Sequence, residues 1–124
     1  MTFRNNLYFI DSVSRSEEDV SYQLHLNGEH VIYQAHFPGE PITPGVCILQ
    51  IGVELLSDAV GAALEISRVK NVKFLNILRP DGWPVLVKIH KIEKKEGLVT
   101  AQADLSQADT PVAKMSLICQ TVAR

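Results

Sequence analysis

From Leu7 to Val13, and again from Val20 to Leu26, apolar residues alternate with polar ones. A period of two is the pattern of a strand with one buried face, and the charged Glu17-Glu18-Asp19 between the two runs reads as their turn. Two antiparallel strands are therefore expected, closed by the turn signal Asn27-Gly28. Glu29 to Ala35 is short, and Val31, Ile32 and Tyr33 fit either an extended piece or one helical turn. The segment from His36 to Thr43 then breaks the alternation, with Pro38 and Pro41 inside it and Pro44 just after. Each proline fixes its own φ and pushes the preceding residue towards an extended conformation, so this loop is stiff.

A nearly unbroken apolar run follows: Val46, Cys47, Ile48, Leu49, Ile51, Val53, Leu55 and Leu56. Thr43 is a good N-cap and Pro44 a good first helical residue, which predicts a helix from Pro44 to about Ala62, ending near Gly61. Its apolar residues surround the axis and leave only a narrow polar stripe of Gln50, Glu54, Ser57 and Asp58, so the helix is expected in the middle of the domain. Strand patterns dominate the rest. Ile66 to Leu78 reads as one strand or as two broken near Asn71, and Arg79-Pro80-Asp81-Gly82 as a turn. Val85 to Ile92, Leu98 to Leu105 and Val112 to Val122 follow as strands, separated by Glu96-Gly97 and by 107–111. No repeat or low-complexity segment interrupts them. The sum is one buried helix with one long antiparallel sheet, an α+β architecture in a single domain spanning 1–124.

Composition leaves that picture in place. The chain has 124 residues, 46% hydrophobic and 21% charged, which is globular composition with enough length for a core. Two cysteines, Cys47 and Cys119, lie in apolar runs and read as reduced core residues. Cys47 stands near the helix start, where a thiol can be activated, but no base adjoins it in sequence. The first residues lack a basic region followed by an apolar run, so no secretory signal is expected. No apolar stretch reaches the ~18 residues of a membrane span, and a cytoplasmic protein is expected. A net charge of −2 argues against nucleic acid. Charge is uneven, with two basic and eight acidic residues in 1–61 against ten basic and six acidic in 62–124. A basic face on the second half suits an acidic partner, and equally a set of solvated strand faces.

Candidate chemistry gathers at the loop and the helix it feeds. His36 begins the loop. Gly45 and Val46 would offer backbone N–H groups at the helix N-terminus, where an oxyanion is stabilised. Gln50 and Glu54 lie one turn apart on one helix face. A buried carboxylate is costly unless it is paired, so Glu54 reads either as a functional group or as half of a hydrogen-bonded pair with Gln50. His25, His30 and His90 lack a motif and read as surface or strand residues. Trp83 reads as a packing residue at a strand entry. Lys91, Lys94 and Lys95 suit contact with an acidic partner protein or, as the simpler reading, a solvated hairpin.

The motif His36-Phe37-Pro38-Gly39, then Pro41, then Pro44-Gly45-Val46, resembles the signature of the hot-dog-fold 3-hydroxyacyl-[acyl-carrier-protein] dehydratases. Val72-Lys73-Phe74 and Pro80-Asp81-Gly82 resemble the later strand and turn of that family, which usually reads Pro-Gly-Asp. The resemblance implies a long sheet wrapped around one central helix and homodimers or higher homo-oligomers with sites at the subunit interface. It also implies a thioester substrate on acyl carrier protein or CoA, and no cofactor or metal. In such a site the loop histidine of one subunit works with a carboxylate from the helix of the other. Water loss from a 3-hydroxyacyl thioester needs a base at C2 and an acid at the 3-hydroxyl. A neutral histidine, with an ordinary pKa near ~6.5, is a suitable base. The resemblance assigns His36, Gln50 and Glu54 to catalysis, and Phe37, Pro38, Gly39, Gly45 and Val46 to substrate binding.

The chain departs from the family at one point. The acid, Asp or Glu, stands fourteen residues after the histidine, and here that residue is Gln50. An amide cannot deliver a proton as a general acid. Glu54, one turn on, stands where the family commonly has glutamine. Three functions are therefore expected in order: a dehydratase-like hydro-lyase of fatty-acid or related acyl-chain synthesis with Glu54 as relocated acid, a hot-dog thioesterase with Glu54 as general base or nucleophile, and a non-catalytic acyl-thioester-binding paralogue.

Overall fold

The computed structural model describes residues 2–35 and 39–122. The elements are β1 (Tyr8–Arg15), β2 (Val20–Leu26), α1 (Val31–Ala35), α2 (Gly45–Val60), β3 (Leu64–Phe74), β4 (Val85–Lys95), β5 (Leu98–Gln107) and β6 (Thr110–Thr121). The six strands form one sheet in the order β1-β2-β4-β5-β6-β3, every neighbouring pair antiparallel. The helix connection carries the chain from β2 to the far edge, where β3 pairs with the last strand. This is the α+β architecture that the alternation predicts.

The period-two pattern decides which face is buried. On β5, Val99, Ala101, Ala103, Leu105 and Gln107 point inwards. On β6, Met115, Leu117 and Cys119 do the same, and β2 and β4 add Tyr22, Leu24, Val85, Val87 and Ile89. Helix α2 lies against this face, with Cys47, Ile48, Ile51, Val53, Leu55 and Leu56 all buried. Complete burial of one such aliphatic side chain contributes ~1.5–3 kcal/mol, so α2 and the sheet hold each other. Gly52 allows the close approach, because a Cβ there would stand 3.0 Å from Met115 Cε. Gly61 ends the helix at φ +70°, its N–H bonded to the Ser57 carbonyl.

The structure selects the helical turn between the two readings of Glu29 to Ala35, and it differs from the sequence expectation at β3, Thr43 and Trp83. Glu29 to Ala35 resolves as a helical turn, capped by His30, whose Nδ1 accepts the Ile32 N–H at 3.0 Å. β3 runs from Leu64 and stops at Phe74, short of Leu78. Its register with β6 skips Ser67 and Lys70, two bulges that account for the irregularity near Asn71. Thr43 is not the N-cap of α2. That place falls to Pro44, extended at φ −61° and ψ 147° and without a side-chain cap. Thr43 is 3% exposed, and its groups are engaged elsewhere. Its Oγ1 stands 2.8 Å from the Tyr33 hydroxyl, and its N–H donates to the Leu78 carbonyl at 2.8 Å. Trp83 does not pack into the strand entry: the Gln107 carboxamide grips the backbone of Arg79 and Trp83 from inside, and Trp83 stays 60% exposed.

Candidate functional site

The polar stripe of α2 meets the N-terminal segment. Glu54 Oε2 accepts the Phe3 N–H at 2.8 Å and a Gln50 Nε2–H at 2.9 Å. Its Oε1 accepts the Arg4 N–H at 2.8 Å and the Tyr8 hydroxyl at 3.0 Å. Four donors thus converge on one half-buried carboxylate. One turn on, Asp58 accepts the Tyr22 hydroxyl at 2.7 Å and Arg4 Nη1 at 2.9 Å. The Tyr22 bond, opposed by burial and helped by Arg4, holds the Asp58 carboxyl below the usual range. Burial first, and then the neighbouring carboxylate, pushes the Tyr8 and Tyr22 hydroxyls far up, so both remain protonated donors.

Sequence reasoning found the stripe but missed its partners. Phe3 and Leu7 are buried, and this local apolar anchor brings the amides of residues 3 and 4 onto a carboxylate fifty positions away. The signal available beforehand was Tyr8 and Tyr22, hydroxyl-bearing residues on inward-facing strand positions that need partners.

Gln50 and Glu54 form the hydrogen-bonded pair that their spacing on one helix face allows. Both face a groove of about 890 Å³ between α2 and β3, lined also by Arg4, Asp58, Leu64 and Ile66. At the other end of the helix, the N–H groups of Cys47 and Ile48 both donate to the Pro44 carbonyl, at 3.0 and 3.2 Å. The Gly45 and Val46 N–H groups precede that ladder, and Val46 is 72% exposed. A Cβ on Gly45 would stand 2.8 Å from Phe74 Cζ, so the aromatic ring that closes β3 needs a glycine here. Gly39 is exposed. His36, Phe37 and Pro38 lie outside the described residues.

The remaining candidates are accounted for by their neighbours. His25 Nδ1 lies 2.7 Å from Asp11 and its ring stacks on Phe9, while His90 Nε2 lies 3.0 Å from Asp104. Cys47 and Cys119 are free and buried, and burial raises both thiols, Cys119 to about 11. Neither is an activated thiolate. Among the described residues no three His, Cys, Asp or Glu side chains are grouped to hold a metal ion, and no helix is long and apolar enough to cross a membrane.

One helix laid along a six-stranded antiparallel sheet, entered through the His36 loop motif, defines a hot-dog domain of the dehydratase type. The model of the ApeI-like family, described as ApeI dehydratase, matches residues 12–113, and the chain belongs to that family. It is also similar to the 3-hydroxyacyl-[acyl-carrier-protein] dehydratase FabZ of Thermotoga neapolitana, 30% identical over 111 residues that make up 86% of this chain and 80% of that one. Among solved structures, the dehydratase heterocomplex ApeI:P from Xenorhabdus doucetiae superposes with a TM-score of 0.72 at 23% identity, covering 90% of this chain and 96% of that one. A hypothetical thioesterase from Streptococcus pneumoniae, solved with coenzyme A, shares the fold at a TM-score of 0.67 and 8% identity, covering 94% and 87%.

Proposed function

We propose that the protein is a 3-hydroxyacyl-thioester hydro-lyase whose site forms where two hot-dog subunits meet, acting on an acyl chain carried by acyl carrier protein or CoA. The observation that carries this reading is the uncapped N-terminus of α2 on the same helix as Gln50. Gly45 and Gln50 are five residues apart, ~7.5 Å along the axis. The N–H groups of Gly45 and Val46 receive the thioester oxygen as negative charge develops on it. His36 takes the C2 proton, and the motif residues Phe37, Pro38 and Gly39 hold that histidine and the acyl arm. Gln50 binds the 3-hydroxyl.

Glu54 enters this scheme as the residue that holds Gln50, because both of its side-chain oxygens are already engaged, by the Phe3 and Arg4 N–H groups, the Tyr8 hydroxyl and Gln50 itself. The imidazolium of His36 then returns the proton it took from C2 to the 3-hydroxyl as the C3–O bond breaks. The C2 proton leaves in the water, and the enoyl thioester remains.

A second reading is favoured by Gln50 itself. If the acid comes from a different hot-dog chain, this chain contributes His36 to a mixed assembly, as its fold neighbour is part of a heterocomplex. The edge strand β3 shows exposed Arg68, Lys70 and Lys73 against one exposed anion, Glu65, which suits an acidic partner. The test is purified protein with a 3-hydroxyacyl carrier-protein thioester, following enoyl formation and free thiol. Water loss that disappears in His36→Ala supports the first reading. Activity that needs an added second chain supports the mixed one. Thiol release without enoyl product sinks both in favour of hydrolysis.

A further inference from the structure

Thr43 occupies the place from which a threonine caps a helix, two residues before Gly45 and three before Val46. An N-cap hydroxyl accepts the N–H of the second or third helical residue. With Pro44 as the first helical residue, those would be the N–H groups of Gly45 and Val46. Thr43 does not do this, because its hydroxyl is turned to Tyr33, 2.8 Å away, in a pair where either group can donate. Both residues are 3% exposed, so water does not compete for the bond. Pro44 takes the cap position and offers no side-chain acceptor.

We infer that Tyr33 is a positioning residue that keeps the N-terminus of α2 open for the substrate, by diverting the Thr43 hydroxyl away from the Gly45 and Val46 N–H groups. The alternative state is close at hand. Pro44 already has a helical φ of −61°, and rotation of its ψ from 147° into the helical range would add one residue to α2. Thr43 would remain extended, as a residue before proline prefers. Its hydroxyl would then cap the helix and compete with the thioester oxygen. The native helix forgoes an ordinary cap, and the Tyr33 hydroxyl is what holds it so. The Thr43 N–H bond to Leu78 steadies the same arrangement from the β3–β4 connection.

This inference rests on the reading of the α2 N-terminus as the thioester site, and its test separates the two. In Tyr33→Phe the diverting hydroxyl is gone and Thr43 is released to cap. Amide exchange at Gly45 and Val46, measured without substrate, should slow about fivefold, the effect of a cap of ordinary strength. Dehydration should fall about fivefold to tenfold in kcat/KM. Adding Thr43→Val removes the hydroxyl released to cap, so the double variant Tyr33→Phe/Thr43→Val should recover both the fast exchange and most of the activity. A merely structural role predicts the reverse, because the second substitution would then deepen the loss. Unchanged exchange in Tyr33→Phe, or no recovery in the double variant, overturns the inference. Exchange that follows the expected pattern in a protein that dehydrates no 3-hydroxyacyl thioester leaves the inferred diversion standing and removes the proposed function.

Discussion

Replacing Glu54 by glutamine separates an anchor from an acid. A carboxamide offers one acceptor oxygen where the carboxylate offers two. If the oxygen stays with Phe3 and Gln50, the new NH₂ faces the Arg4 N–H and the Tyr8 hydroxyl. Tyr8 can turn to accept, but the Arg4 bond is lost and the two retained bonds lose their charge assistance. Hydrogen bonds to charged groups contribute ~1.5–3 kcal/mol and neutral ones ~0.5–1.5, so Glu54→Gln should cost about 2–4 kcal/mol. Glu54→Ala leaves the Phe3 N–H and the buried Tyr8 hydroxyl without an acceptor and should cost about 3–5 kcal/mol. At roughly 4 °C per kcal/mol for a domain of this size, Glu54→Gln lowers Tm by about 8–16 °C. Urea titration should show a lower midpoint with an unchanged slope. The variant should retain part of the water-loss activity under conditions where it is still folded. Wild-type stability with turnover abolished would refute the reasoning and make Glu54 the general acid.

Three further outcomes follow from neighbouring contacts. Asp58 has a folded pKa below its unfolded one, so its contribution is full above the ordinary value of ~3.9 and is lost as pH falls through the lower folded value. Asp58→Asn should therefore flatten the acid limb of a stability–pH curve below about pH 4 and leave its shape near neutrality unchanged. Gly45→Ala puts a methyl group against the Phe74 ring, and the same substitution in a Phe74→Ala background should be neutral or stabilising. A double-mutant cycle should return about 1 kcal/mol of coupling, and additivity would show that the ring swings away freely. Gln107→Ala leaves the Arg79 and Trp83 carbonyls unpaired and should cost about 2–3 kcal/mol. The chain's one tryptophan, Trp83, reports on that turn directly, and its fluorescence anisotropy should fall as the 79–84 segment loosens.

By itself the sequence determined the strands, the buried helix and the family. Alternation on β2, β4, β5 and β6 is a local consequence of one buried sheet face. The all-round apolar character of α2 could arise only inside the domain. The His36 to Gly45 motif is contiguous, so it was legible without any fold. What the tertiary structure decided were contacts between residues far apart in the chain. No spacing rule joins Phe3 and Arg4 to Glu54, or Tyr22 to Asp58, because those distances are set by how the N-terminal anchor and two strands cross the helix. The capping rule fails at Thr43 for the same reason. Local preference sends its hydroxyl to the helix, and a buried tyrosine from a preceding turn offers a better-shielded partner. Glu54 shows the division most clearly: the sequence placed it on the stripe facing Gln50, and only the folded chain surrounded it with donors.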